Sequence, residues 1–432
     1  MADVRINGVR QQAAPMSEWS SISLDRLRTI VQDAHLNFLV GAGTSSSFFS
    51  SLGNIEQALT DVARLRGNPT AKLLVRTSIQ AYFFENVLVP NQRILARDEA
   101  AEEVLRSYAT FLRTLNRILL KRHSSLLAKQ VNLFTTNVDM IFEVAIEQLG
   151  LDYSDGFSGK IRPRFDLGDF NTLRFRTGSR YEHRSEVPVF NLVKLHGSAS
   201  WRQETRDDDK TDIFFDHGLT VVEEAEEKLN AARDCLIDVL VRSQSQSRHP
   251  TIRPVEDLFS EAELAVQNNA DVSVIREFAR AYSSLGIVNP DKRKFATTVM
   301  NETYYELIRR FANELEKENS VLFVHGFSFR DEHLRDLVLR AARTNPTLQV
   351  IVFCYSRSDR DSYTRLMPET EIKNGNILLV APMDPSGEDT ERFATLDVIE
   401  QDYFAPLVAD KIPQPDQRIE LDIRTPPPAD AL

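Results

Sequence analysis

Six short segments are dominated by apolar residues: 36–40 (LNFLV), 131–135 (VNLFT), 188–195 (PVFNLVKL), 320–325 (SVLFVH), 348–354 (LQVIVFC) and 377–381 (ILLVA). They are rich in Val, Leu, Ile and Phe and lack two-residue alternation, as strands covered by helices on both faces should be. Helical patterns separate most of them. That order predicts βαβ units with right-handed crossovers, and so an α/β, Rossmann-like, mostly parallel six-stranded sheet. Open sheets of this kind bind ligands outside the carboxyl ends of their strands. The residues that follow each apolar run are therefore the ones to read for chemistry.

The intervening segments set the organisation. Between the second and third strands, Asp152 to Glu186 is rich in turns and reads as a loop or lid over a cleft. Residues 203–318 read as an inserted helical subdomain. There Val222, Ala225, Leu229, Ala232, Leu236 and Val239 form one apolar stripe, and the chain turns near Arg248-His249-Pro250. Val299, Leu307, Phe311 and Leu315 mark a helix leading into the fourth strand. Residues 98–122 form another amphipathic helix, with Val104, Leu105, Tyr108, Leu112, Leu115 and Leu119 on one face. The expected domains are an N-terminal arm (1–30), a nucleotide-binding domain (31–202 and 319–400), the insertion (203–318) and a Pro-rich, partly disordered tail (401–432).

Composition excludes several classes. No apolar stretch reaches the roughly 18 residues of a membrane span, and the opening residues show no signal-peptide core, so a cytoplasmic protein is expected. The net charge of −11 argues against a broad nucleic-acid-binding face, so no direct nucleic-acid partner is expected. The two cysteines, Cys235 and Cys354, stand 119 positions apart. They cannot build the paired-ligand spacing of a structural zinc site, and no metal is expected.

Three segments then converge on the carboxyl edge. Gly41-Ala42-Gly43-Thr44-Ser45 follows the first strand, where glycines let backbone approach a pyrophosphate and hydroxyls add donors. Such glycine pairs also recur in α/β proteins without a ligand. Thr135-Thr136-Asn137-Val138-Asp139 ends the second strand in an amide and a carboxylate. A buried polar pair needs a partner, although Asn or Asp can equally cap the helix that starts at Met140. Lys194-Leu195-His196-Gly197-Ser198 puts a histidine, the natural acid/base near neutral pH, at a third strand end.

In order and wording these segments resemble the sirtuin family, whose members cleave the nicotinamide–ribose bond of NAD. On that resemblance Gly41, Ala42, Gly43 and Ser45 fall on the phosphate-binding turn, and Thr44 and Thr136 join them as cofactor-binding residues. Asn137 and Asp139 fall on positions that hold the reacting water and the nicotinamide end, and His196 on the catalytic histidine. Gly326-Phe327-Ser328-Phe329, followed by Asp331-Glu332-His333, corresponds to the Gly-x-Ser turn that contacts phosphate and ribose.

The departures narrow the resemblance. FFSSLGNIEQAL stands where deacylating sirtuins carry an arginine-bearing Pro-Asp-Phe-Arg loop, and Phe353-Cys354-Tyr355 replaces the Ile-Asn pair that grips the adenosine ribose. Zinc ribbon and peptide groove have no counterpart. With the GFSFRDEHL turn, these features resemble the sirtuin-like NAD hydrolases of bacterial antiphage defence, most closely the subunit partnered with a HerA-type ring ATPase. The resemblance implies hydrolysis of NAD to nicotinamide and ADP-ribose, with Asn137 holding the water, Asp139 steadying the ribosyl region and His196 polarising a hydroxyl. It also implies a homo-oligomer docked on a hexameric ATPase, gated through the helices at 98–122 and 219–241, the lid and the arm. Alternatives are a sensor of NAD or ADP-ribose without turnover, a protein deacylase and a DNA-cleaving effector.

Overall fold

The computed structural model describes residues 22–49, 53–122, 127–178, 184–206, 211–241, 251–268, 271–290, 302–367, 372–381 and 392–409. In chain order its strands are β1 (His35–Val40), β2 (Gln130–Thr135), β3 (Asp152–Ser154), β4 (Phe157–Ser158), β5 (Arg164–Phe165), β6 (Phe175–Thr177), β7 (Arg184–Glu186), β8 (Val189–Lys194), β9 (Gly197–Thr205), β10 (Thr211–Phe215), β11 (Leu285–Ile287), β12 (Ser320–His325), β13 (Gln349–Phe353) and β14 (Ile377–Val380). All six expected strands form, within one or two residues of the expected ends.

The central sheet runs β14-β13-β12-β1-β2-β8-β3, and every pairing is parallel. Its strands lack polar alternation because both faces are covered. In β1, Leu36, Phe38 and Val40 enter one core while Leu39 enters the other; in β12, Val321 and Phe323 face the first and Leu322 and Val324 the second. The first core holds the helices Leu24–Asp33, Glu99–Leu120 and Ile141–Leu149, and the second holds Glu302–Glu316 and Glu332–Thr344. From β1 the chain passes to β2 on one side, and only later to β12 on the other. The β1/β12 boundary is thus the topological switch point of the sheet.

Register brings the strand ends flush. Val40 pairs with both His325 and Thr135, and Thr135 pairs with Lys194. An asparagine ladder helps to fix that register inside the sheet. Asn191 Nδ2 donates to Asn132 Oδ1 (2.9 Å), Asn132 Nδ2 to Asn37 Oδ1 (2.8 Å) and Asn37 Nδ2 to Ser320 Oγ (2.9 Å). A one-residue slip would leave these buried amides unpaired, a cost of about 1–3 kcal/mol each.

Several expectations are corrected. The sheet has seven strands, because three residues of the expected loop, Asp152–Ser154, add β3 beside β8. So short and polar a strand carries no periodic signal. The remainder of 152–186 is not a bare lid: β4 and β5 join β11, β9 and β10 in a second, antiparallel sheet ordered β11-β9-β10-β5-β4. Phe157 and Phe165 pack there on Trp201, each ring 5.4 Å from the indole. The stretch 203–318 therefore carries strands β10 and β11 as well as the helices Thr220–Ala232, Val255–Gln267 and Val272–Ser283. These helices share one core with the helix Pro69–Phe83.

The apolar stripe at 222–239 leaves the helix after Ala232, so Leu236 and Val239 lie beyond its end. The stripe of Glu99–Leu120 is buried against the sheet, from Val104 at 3% exposure to Leu119 at 0%, and offers no apolar face to a second subunit. At the N-terminal side, Leu24–Asp33 is a helix capped by Ser23, with Leu27 and Val31 buried four residues apart, so the arm ends earlier than residue 30. At the other end Phe404 is buried against Phe38, Phe111 and Phe323, which extends the folded unit into the expected tail. Residues 1–21, Arg248-His249-Pro250, Val299 and 410–432 lie outside the described residues. Among the described residues no helix is long and apolar enough to cross a membrane.

Candidate functional site

After Val40 the chain enters a tight 3-10 turn, Ala42–Ser45, preceded by Gly41. Its glycines answer first to a neighbouring turn. Gly41 N donates to His325 O (3.0 Å) and Gly43 N to Gly326 O (2.9 Å). A Cβ on Gly41 would lie 2.5 Å from Gly326 O, and one on Gly43 3.0 Å from Gly326 Cα. Gly326 itself sits at φ +65°, a conformation that favours glycine. The pair expected to cradle phosphate thus also lets two strand-end turns cross at the switch point. Thr44 N is engaged as well, donating to Gly41 O (3.0 Å).

Thr44 Oγ1 lies 2.9 Å from His325 Nδ1, and His325 Nε2 lies 2.8 Å from Ala394 O. A carbonyl can only accept, so Nε2 carries the proton and the Thr44 hydroxyl donates to Nδ1. Burial pulls the His325 pKa down to about 4, which keeps the ring neutral. Thr44 is therefore tied to His325 rather than reserved for a ligand.

Ser45 faces the end of β2. Asn137 Nδ2 donates to Gly41 O and to Ser45 Oγ, both at 3.3 Å, and Ser45 Oγ donates to Asp139 Oδ2 (3.4 Å). Asn137 is 8% exposed, yet its Oδ1 has no hydrogen-bond partner among the described residues. Asp139 Oδ1 accepts from Ile141 N (3.2 Å), so this carboxylate does tether the start of the next helix. Burial raises the Asp139 pKa against the opposing pull of the Lys194 ammonium. The phenol of Tyr108, fully buried beside Ser45 and Asp139, is likewise raised by burial. Tyr108 belongs to this polar cluster, whereas its place in an apolar helical stripe marked it only as core. Thr136 donates its backbone N–H to Val40 O (3.2 Å).

At the end of β8, Lys194 is 2% exposed and pairs with Glu143 at 2.7 Å. Its Nζ also donates to Asp139 O and to Ser198 Oγ, the latter at 3.1 Å. This buried cation ties the His196 strand end to the Asn137–Asp139 turn, as do the bonds from Leu195 N to Thr135 O (2.8 Å) and Ala199 N to Val138 O (2.8 Å). His196 Nε2 stands 3.4 Å from Asp331 Oδ2, while Asp331 Oδ1 caps the helix Glu332–Thr344 through Leu334 N (3.2 Å). Asp331 reaches His196 from 135 positions away along the chain, a pairing that spacing alone could not reveal.

The fourth segment divides. Phe327 is 6% exposed and packs on Phe329, so its side chain is structural. Ser328 is exposed in the turn. Phe329 is held at φ +55°, rare for a bulky side chain and a place where backbone strain is stored. At the end of β13, Tyr355 and Phe393 stack at 4.9 Å with 19° between their planes, and both are exposed, at 45% and 40%. Among the described residues no group of three or more His, Cys, Asp or Glu side chains could hold a metal ion. No family model matches the chain, and no curated protein matches it.

Proposed function

We propose that the chain is an NAD glycohydrolase, in which water attacks the anomeric carbon of NAD and nicotinamide, ADP-ribose and a proton are released. One observation carries the reading: at the sheet's switch point, flush strand ends gather two glycine turns, Asn137 and His196, and Asn137 keeps a buried carbonyl oxygen with no donor among the described residues. A water or an amide N–H would satisfy it. Nicotinamide leaves as a neutral molecule from a cationic pyridinium, so no acid must protonate it. Catalysis then rests on orienting the water and stabilising an oxocarbenium-like centre. Asn137 holds the water, and His196, steadied by Asp331, polarises a ribose hydroxyl or the water. Asp139 acts from behind by placing Ser45 and the helix start. The exposed Tyr355–Phe393 stack offers aromatic surface for the adenine.

Assembly with a HerA-type hexameric ATPase, a homo-oligomeric state, a cytoplasmic setting and NAD depletion as an antiphage response belong to the same proposal and rest on the sirtuin resemblance. The test is nicotinamide release from NAD, with and without the ATPase and an acyl-peptide. Asn137→Ala and His196→Ala should each lower turnover by about 10² to 10⁴-fold, or about 3–5 kcal/mol of barrier, while remaining folded. Release in neither setting, release only with acyl-peptide, or full activity in either variant overturns the assignment.

A further inference from the structure

A cavity of about 310 Å³ is lined by residues of the helices Ile55–Arg64 and Pro69–Phe83 together with Asn289. It falls at the lower end of the roughly 300–1,000 Å³ typical of small-molecule sites. None of the strand-end residues described above lines it. Leu59 and Leu73 supply apolar wall. Lys72, Arg76 and Gln80 recur every four residues, so they form one line along the helix Pro69–Phe83.

The three differ in exposure. Arg76 is exposed and makes no ion pair among the described residues. Lys72 is half-buried, with Nζ donating to Leu65 O at 2.7 Å. Gln80 is 6% exposed, and its side-chain amide has no hydrogen bond among the described residues. Asn289 Oδ1 is also buried without a partner. The Gln80 amide is thus free to meet a ligand from the cavity, and the Asn289 acceptor beside it costs about 1–3 kcal/mol for its lost partner.

The geometry points to a binding site for an adenine mononucleotide, separate from the strand-end crevice. A carboxamide offers a donor beside an acceptor, the pattern that pairs with the N6/N7 edge of adenine. Gln80, whose buried side chain lines the cavity, provides that recognition. The base lies against the leucine wall, and the phosphate meets Lys72 and Arg76 at the mouth. Asn289 follows Val288, whose N–H donates to His196 O (2.9 Å), so this cavity adjoins the backbone that carries His196.

Isothermal titration of the full chain with AMP, adenosine and inorganic phosphate tests the assignment. AMP should bind more tightly than either fragment, and Arg76→Glu and Gln80→Leu should each weaken it at least tenfold. Asn137→Ala should leave it unchanged. Arg76 is exposed, so its replacement does not threaten the fold. No AMP binding, binding indifferent to both cavity variants, phosphate binding as tightly as AMP, or loss of AMP binding in Asn137→Ala would each overturn the proposal. None of these readouts depends on NAD turnover, so the hydrolase reading and this one can fail separately.

Discussion

Gly326→Ala isolates how much of the glycine pattern belongs to folding. An L-residue at φ +65° costs about 1–2 kcal/mol from its own Cβ. The new methyl would also fall well inside contact distance of Thr44 N and Oγ1, and 2.9 Å from the Gly43 carbonyl carbon. Those atoms are mostly backbone and cannot swing aside, so the two turns must separate; overpacking of this kind costs about 1–3 kcal/mol. The expected loss is thus about 2–5 kcal/mol. Gly375→Ala is the matched control, because Gly375 has φ +58° and a Cβ there meets nothing within 4 Å. It should lose only the first part, about 1–2 kcal/mol. Urea midpoints of the two variants, compared at equal m-value, give the difference directly. If Gly326→Ala unfolds no earlier than Gly375→Ala, the crossing of the two turns is not what requires glycine.

Two further outcomes follow from buried polar groups. His325 has a folded pKa of about 4, below its unfolded value of about 6.5. Its contribution is therefore fully present above pH 6.5 and is lost as pH falls through 4, up to about 3 kcal/mol. The stability gap between the wild-type chain and His325→Gln should narrow from pH 7 to pH 4.5 in urea titrations, and a gap independent of pH would refute the neutral assignment. Asn132→Leu leaves Asn37 Oδ1 and Asn191 Nδ2 without their ladder partner and should cost about 2–5 kcal/mol; an unchanged urea midpoint would show that the ladder adds nothing to stability.

The central sheet was legible because each of its long strands is apolar on both faces, and that signal survives without any partner in view. Its edge was not: Asp152–Ser154 gains strand geometry only from β8. The second sheet leaves no sequence pattern for a similar reason, since β4 and β5 are two residues each and are held by aromatic packing on Trp201. At the candidate site, the strand-end motifs were readable because parallel register lines up whatever follows each strand. Their partners were not. Tyr108 looks like any core residue of its helix, Lys194 like a charge at a strand end, and Asp331 like a helix cap. Each acquires its role from a neighbour distant in sequence.

Those distant partners separate the residues that face the crevice from those that hold it. Lys194 and Glu143 form a buried pair, and such pairs are often no more stabilising than apolar side chains of the same size. An apolar residue at 194 would fill the space, but it would not donate to Asp139 O and Ser198 Oγ together. The ammonium thus joins the Asn137–Asp139 turn to the strand end that bears His196. Asp331 does the same from the other side, since one carboxylate both starts a helix and meets the imidazole. The Asn137 backbone N–H donates to Thr135 Oγ1 (3.0 Å), and its side chain is held through the amide nitrogen, by Gly41 O and Ser45 Oγ. With its nitrogen anchored and its turn clamped by Lys194, Asn137 cannot rotate its carbonyl away to find another donor. What remains unsatisfied there is an acceptor held in place, which is the condition for orienting a water rather than merely tolerating one.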